Sequence, residues 1–153
     1  NPEGTLDLRE DNPVSLLKDV ITRLNVQDDE VTLHVVGEEH GIPLDASLMG
    51  RAFSNILSNA LKYTPSENKP VQVEVQFHAG NTGSRFIDRG YGIPADQLSL
   101  VFEPFYRTDR SRSRQSGGYG LGLHLAKRIV EAHGGTITIQ SREGEGTDVT
   151  IIL

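Results

Sequence analysis

Asn55-Ile-Leu-Ser-Asn59-Ala-Leu-Lys62-Tyr63-Thr64 ends a segment whose apolar residues fall in pairs, Leu48/Met49, Ala52/Phe53, Ile56/Leu57 and Ala60/Leu61. Pairs repeating with the turn of a helix predict one amphipathic helix, capped by Asp45 or Ser47 and ended by Pro65. Asn55, Asn59 and Lys62, at i, i+4 and i+7, then lie in one strip beside the buried stripe. Two amides and an ammonium in a strip can converge on one ligand. An amide oxygen is a hard neutral donor suited to Mg²⁺, and a lysine beyond it can meet phosphate oxygens. A merely solvated helix face would show the same spacing, so the strip is open to both readings until its neighbours are read.

Upstream, Asn12 followed by Pro13 reads as an N-cap with proline at the first helical position, and Leu16, Leu17, Val20, Ile21 and Leu24 continue at helical spacing. Val31 to Val36 is strand-like, and Gly37 to Leu44 reads as a turn-rich connection. Downstream, Val71, Val73, Val75 and Phe77 alternate with polar residues and predict a half-buried strand, with a turn over Gly80 to Gly83 leading to a short partner, Arg85 to Asp88. Ala95 to Phe102 suits a short helix, and Leu123 to Ala132 a third long one stopped by Gly134. Thr136 to Gln140 and Val149 to Leu153 form a hairpin around Gly144 to Gly146. The expected fold is an α+β two-layer sandwich, a mixed β-sheet with three main helices on one face. Neither a repeat nor a boundary divides residues 1–153, which read as a single domain.

Composition narrows the function classes. The chain is 36% hydrophobic and 24% charged, which excludes the disordered class. A net charge of −6 argues against nucleic acid as a partner, so any anion site must be local. The absence of cysteine removes disulfides and thiolate metal sites and is compatible with a reducing cytoplasm. No apolar run is long enough to span a bilayer. The five histidines lack metal-ligand spacing and read as structural or surface groups. Because the chain starts at Asn1 without a methionine, a longer parent protein is expected.

Two glycine clusters carry the remaining chemistry. Asp88-Arg89-Gly90-Tyr91-Gly92-Ile93 sets a carboxylate at the end of a strand, before glycines that let backbone approach a ligand closely. Such a carboxylate can accept a hydrogen bond from an exocyclic amine such as that of adenine, although an ordinary strand-to-turn Asp-x-Gly looks the same. Gly118-Tyr119-Gly120-Leu121-Gly122-Leu123 opens a helix whose first amides could face phosphate. It matches neither a dinucleotide fingerprint nor a P-loop. Between the clusters, Phe102-Glu103-Pro104-Phe105-Tyr106-Arg107 leads into a segment bearing Arg110, Arg112 and Arg114 with no apolar period. It reads as a mobile lid, with a solubilising loop as the plainer alternative.

In this order and spacing the segments resemble the catalytic domain of sensor histidine kinases, within the superfamily that includes gyrase, heat-shock chaperone and mismatch-repair ATPases. Asn55 to Thr64 looks like the N box of that family, Asp88 to Gly92 its G1 box, Phe102 to Phe105 its F box and Gly118 to Leu123 its G2 box. The likeness covers nearly the whole chain and is weakest before Asp45. It implies that Asn59 holds Mg²⁺ bridging the phosphates of ATP, with Asn55 in support, Lys62 near phosphate and Tyr63 near the nucleoside. Asp88 would read the adenine amino group, with Gly90, Gly92 and Ile93 around the base. Phe105, Arg107, Gly118, Gly120, Leu121, Gly122 and Leu123 would belong to an ATP lid closing over the triphosphate. Tyr119, where a small or hydroxyl residue is usual, Arg89, where asparagine or threonine is common, and the short strand before Asp88 depart from the pattern.

The same resemblance implies transfer of the γ-phosphoryl group to a histidine on a separate helical dimerisation domain of the same or a sister chain, with a response regulator downstream. No histidine here is followed by the acid and Leu-Arg-x-Pro-like run of that acceptor, so only the donor half is expected. The expected parent is a homodimeric protein anchored in the inner or plasma membrane, with this domain in the cytoplasm. One rival is a clamp-type ATPase of the superfamily, which carries a glutamate as general base where this chain has Asn55. The other is a non-catalytic nucleotide-binding module.

Overall fold

The computed structural model describes residues 5–104 and 119–153. Strand β1 (Arg9–Asp11) leads to helix α1 (Pro13–Leu24), capped by the Asn12 side chain, which accepts from the Val14 N–H at 2.8 Å. Strands β2 (Val31–Val36) and β3 (Ile42–Leu44) precede α2 (Ala46–Lys62), whose cap is Asp45, with Oδ1 accepting from Leu48 N at 3.1 Å. Then come β4 (Val71–His78), β5 (Asn81–Asp88), a 3₁₀ turn at Ala95–Leu100, α3 (Tyr119–Ala132), β6 (Thr136–Arg142) and β7 (Gly146–Ile152).

The main sheet has the order β2-β4-β5-β7-β6, parallel between β2 and β4 and antiparallel elsewhere, while β1 and β3 form a separate antiparallel pair. The two-residue period of the strands decides which face is covered. Val71, Val73, Val75 and Phe77 of β4, Phe86 of β5, and Val149 and Ile151 of β7 are buried in one core with Leu17, Phe53, Leu57 and Val130 of the helices. The opposite face is mostly polar, with Val36 and Ile152 among its exposed residues. There Arg85 bonds Asp148 and lies 3.5 Å from Glu74, which stands directly across the ladder from it. The mixed two-layer α+β fold thus stands as expected.

Local boundaries differ in instructive ways. Gly37 to Leu44, expected as connection only, contains β3, whose three residues are held by pairing with β1. The strand before Asp88, expected to be short, is eight residues long. Gly83 and Ser84 lack strong strand preference, but β5 sits between β4 and β7 and bonds both, so the ladder extends it through them. The turn accordingly tightens to Ala79 and Gly80, with His78 pairing Asn81. Ala95–Leu100 is 3₁₀ rather than α, and α3 begins four residues earlier than its apolar period suggests, inside the glycine cluster.

Candidate functional site

Strand β5 delivers Asp88 to the edge of the covered face, where it is 5% exposed. Its Oδ1 accepts from the main-chain N–H of Gly90 at 2.9 Å and of Thr147 at 3.1 Å. Burial pushes the carboxyl up to about 6 even against these two amides, with Asp148 adding to the rise. A carboxylate kept out of water with one oxygen already bonded suits a ligand that brings its own N–H donor.

The loop after Asp88 is fastened on both sides. Gly90 lies against the end of α2, so close that a Cβ there would stand 2.3 Å from the Tyr63 carbonyl oxygen, and Tyr91 N–H donates to that oxygen at 3.2 Å. Gly92, at φ +71°, abuts Arg142 of β6, where a Cβ would meet the carbonyl oxygen at 2.1 Å. Asn68 Nδ2 donates to Arg89 O at 2.8 Å, and Gly144 N–H to Tyr91 O at 2.7 Å. Close backbone approach therefore explains both glycines without strain elsewhere.

Helix α2 brings Asn59 to the same place. Asn59 is 7% exposed, and its Nδ2 is buried with no hydrogen-bond partner among the described residues. Asn55, one turn earlier, is half-buried, and Lys62 is exposed at the helix end. Between α2, the end of β5, β7 and the start of α3 lies a cavity of about 10 Å³. Its walls are Ile56, Leu123 and Val149 on the apolar side and Asn59, Asp88 and Thr147 on the polar side. A buried amide without a partner calls for one, and of the unpartnered buried groups Asn59 is the one that walls this cavity. Neutral amide oxygens of the Asn55 and Asn59 type fit Mg²⁺ when phosphate oxygens and water complete the shell. No cluster of three or more histidine or acidic residues is found among the described residues, so a metal here would lean on its ligand for charge.

Tyr63 and Ile93, expected near the nucleoside, are 2% and 0% exposed and pack into the core. Gly120, Leu121 and Gly122 fall in the first turn of α3, and Leu123 reaches the cavity wall. Phe105, Arg107 and Gly118, with the lid segment from Arg107 to Gly117, lie outside the described residues. Sequence reasoning missed Thr147 and Ser141. Their signal was the register, since Asp88 pairs Thr147 and Thr147 pairs Ser141 on one face of neighbouring strands.

A family model described as histidine kinase-, DNA gyrase B-, and HSP90-like ATPase matches residues 44–153. Sensor protein kinase WalK of Staphylococcus haemolyticus is 40% identical over 116 residues, which cover 72% of this chain and 18% of that protein. The chain therefore spans less than a fifth of the length of that relative. Among solved structures, a mycobacterial sensor histidine kinase, MprB, aligns with a TM-score of 0.73 at 27% identity, covering 95% of this chain and 96% of that one. The catalytic domain of histidine kinase ThkA aligns at 0.78 with 20% identity, covering 97% and 95%, which shows the shared fold.

Proposed function

Because the chain belongs to the histidine kinase-, DNA gyrase B- and HSP90-like ATPase family, we propose that it binds Mg-ATP and donates the γ-phosphoryl group to a histidine of a separate helical domain in two-component signalling. The observation that carries this reading is the convergence of Asp88 and the unpartnered amide of Asn59 on one buried cavity between sheet and helices. Asp88 accepts from the exocyclic amine of adenine at this cavity. Asn59 and Asn55 present amides toward the metal and the phosphate region, and Lys62, exposed beyond them, meets phosphate oxygens. Asn59 and Asn55 would hold Mg²⁺ there, which would supply positive charge to offset that of the phosphates. Arg107 stabilises charge that develops on the transferring group.

Transfer breaks the bond between the γ-phosphorus and the β,γ-bridging oxygen and forms a phosphorus–nitrogen bond to the acceptor imidazole, releasing ADP. Of the five histidines, three are held by hydrogen bonds within the described fold. His133 accepts from Asp45 N–H through Nε2 at 3.0 Å and bonds Ile129 O through Nδ1 at 2.8 Å. His40 is held through both ring nitrogens, and His124 bonds Phe102 O. The acceptor is thus supplied by a partner domain of the same or a sister chain, and the phosphoryl group passes on to a response regulator. The parent protein works as a membrane-anchored homodimer with this domain in the cytoplasm; no described helix is long and apolar enough to cross a membrane. The test is to mix the chain with radiolabelled ATP and a separate histidine-bearing helical domain. Acid-labile label on the helical domain is expected, and its absence under conditions where ATP binds would overturn the kinase reading in favour of a binding module.

A further inference from the structure

Register places Asp88, Thr147 and Ser141 in one inward row across β5, β7 and β6. Thr147 is 3% exposed and walls the cavity beside Asp88. Ser141 stands one strand further out, where its Oγ meets three groups: Ile93 N at 2.9 Å, Gly146 O at 2.9 Å and Thr147 Oγ1 at 2.8 Å. A serine hydroxyl has one proton to give and two lone pairs to offer. Gly146 O can only accept, so it takes the Ser141 proton. Ile93 N–H can only donate, so it takes one lone pair. Thr147 Oγ1 is left with the second lone pair and must donate its own proton to Ser141. The Thr147 hydroxyl then has only acceptor capacity left for anything in the cavity. Both amides that bond Asp88 end on Oδ1, so this neighbour offers acceptor oxygen as well.

We propose that Ser141 fixes the hydrogen-bond polarity of Thr147, so that the wall beside Asp88 presents acceptors only and selects a purine with an amino group over one with an oxo group in the same place. Ser141 acts through Thr147 and is a positioning residue for base selectivity. The inference rests on the reading that this water-sized cavity receives the exocyclic group of a purine nucleotide. An amine donates to such a wall, whereas an oxo oxygen faces lone pairs with no proton between them, and a buried polar group left unpaired is what makes a site reject an analogue. Without the Ser141 hydroxyl, Thr147 loses its acceptor, its proton is free to turn toward the cavity, and an oxo group gains a donor.

The experiment measures affinities for ATP and for inosine triphosphate, whose base carries the oxo group, by calorimetry on the whole chain and on Ser141→Ala, Ser141→Thr and Thr147→Val. In Ser141→Ala the preference for ATP over inosine triphosphate should narrow by about two- to tenfold, the worth of one neutral hydrogen bond. Ser141→Thr, which keeps the hydroxyl, should restore it. Thr147→Val should narrow it too, and adding Ser141→Ala to Thr147→Val should change nothing further, because Ser141 would have nothing left to act through. A Ser141→Ala chain that loses affinity for both nucleotides in parallel, with their ratio unchanged, would show a structural prop and overturn the proposal. So would an unchanged ratio in Thr147→Val, which decides the matter even if Ser141→Ala folds poorly. Failure of the unmodified chain to bind either nucleotide would instead remove the purine reading itself, and the proposal with it.

Discussion

Burial pushes the Asp88 carboxyl up to about 6, against the pull of the Gly90 and Thr147 amides and with Asp148 adding to it. In the unfolded chain the same group ionises near its ordinary value, about 3.9. Between these values the folded domain holds a proton that the unfolded chain has released, so stability falls as pH rises from about 4 to about 6 and stays lower above it. A buried carboxylate that costs the free domain stability at neutral pH is what the proposed ligand-binding role of Asp88 would entail. Asp88→Asn should therefore melt no lower than the unmodified chain at pH 7, since the amide oxygen still accepts from both main-chain N–H groups. Its ATP affinity should drop by about 1.5–3 kcal/mol, the range for a hydrogen bond to a charged group. Calorimetry from pH 5 to 8 adds a second reading. ATP affinity of the unmodified chain should weaken as pH falls through about 6, where Asp88 gains its proton, and this component should vanish in Asp88→Asn. Affinity unchanged by the substitution would remove Asp88 from the site.

Among the elements, α2 depends on what its capping residue ties together. Asp45 caps the helix through Leu48 N–H, accepts from Asp7 N–H at 3.1 Å through its other oxygen, and donates its own N–H to His133 just beyond the end of α3. Burial pushes this carboxyl up, but the bonds from Leu48 and Asp7 and the nearby His133 outweigh it and hold it below the usual range. The sign is opposite to that of Asp88: the stabilisation is present above the ordinary carboxylate value and is lost as pH falls through the lowered one. Asp45→Ala should cost about 0.5–2 kcal/mol by urea denaturation at pH 7, the range for a lost N-cap, and less in acid. At the other end of α2, Gly90→Ala would drive a methyl group into the Tyr63 carbonyl, with 2.3 Å between them. Overpacking of this kind typically costs about 1–3 kcal/mol, and a thermal melt at neutral pH measures it. These ties also mark what the sequence made legible. The three helices and β4 announce themselves because an apolar period repeats over many residues, and Asp88 and Asn59 stand out because their neighbours carry recognisable spacing. Three-residue strands such as β1 and β3 have no room for a period and exist only as each other's partner. Thr147 and Ser141 escaped notice because strand register, which puts them beside Asp88, is a property of three chain segments at once.

At the scale of the whole molecule, the proposed nucleotide site is without a nucleophile among the described residues. Water attack needs a general base near the γ-phosphorus, and the position one turn before Asn59 carries Asn55, an amide that cannot take a proton. Attack by histidine needs an imidazole free to approach, and His133 and His40 have both ring nitrogens bonded within the fold. His34 lies on the outward face of β2, with Thr32 and Val36 beside it on that side, away from the helices. The isolated chain should therefore bind ATP, hydrolyse it very slowly and never label itself. Slow leakage remains consistent with this, because the groups that stabilise charge on the phosphoryl act whatever the nucleophile. The comparison that decides is turnover of the chain alone, of Asn55→Glu, of Asn59→Ala and of the chain with a helical partner. Asn55→Glu supplies a carboxylate and should raise hydrolysis by tenfold or more, within the roughly 10²–10⁴-fold that a well-placed general base contributes. The helical partner should raise ATP consumption only as far as its own histidine is labelled. Asn59→Ala should abolish both, because it removes the proposed protein anchor for Mg²⁺. Rapid hydrolysis by the unmodified chain, in preparations where Asn59→Ala is inactive, would place the activity with the clamp-type ATPases of the family instead.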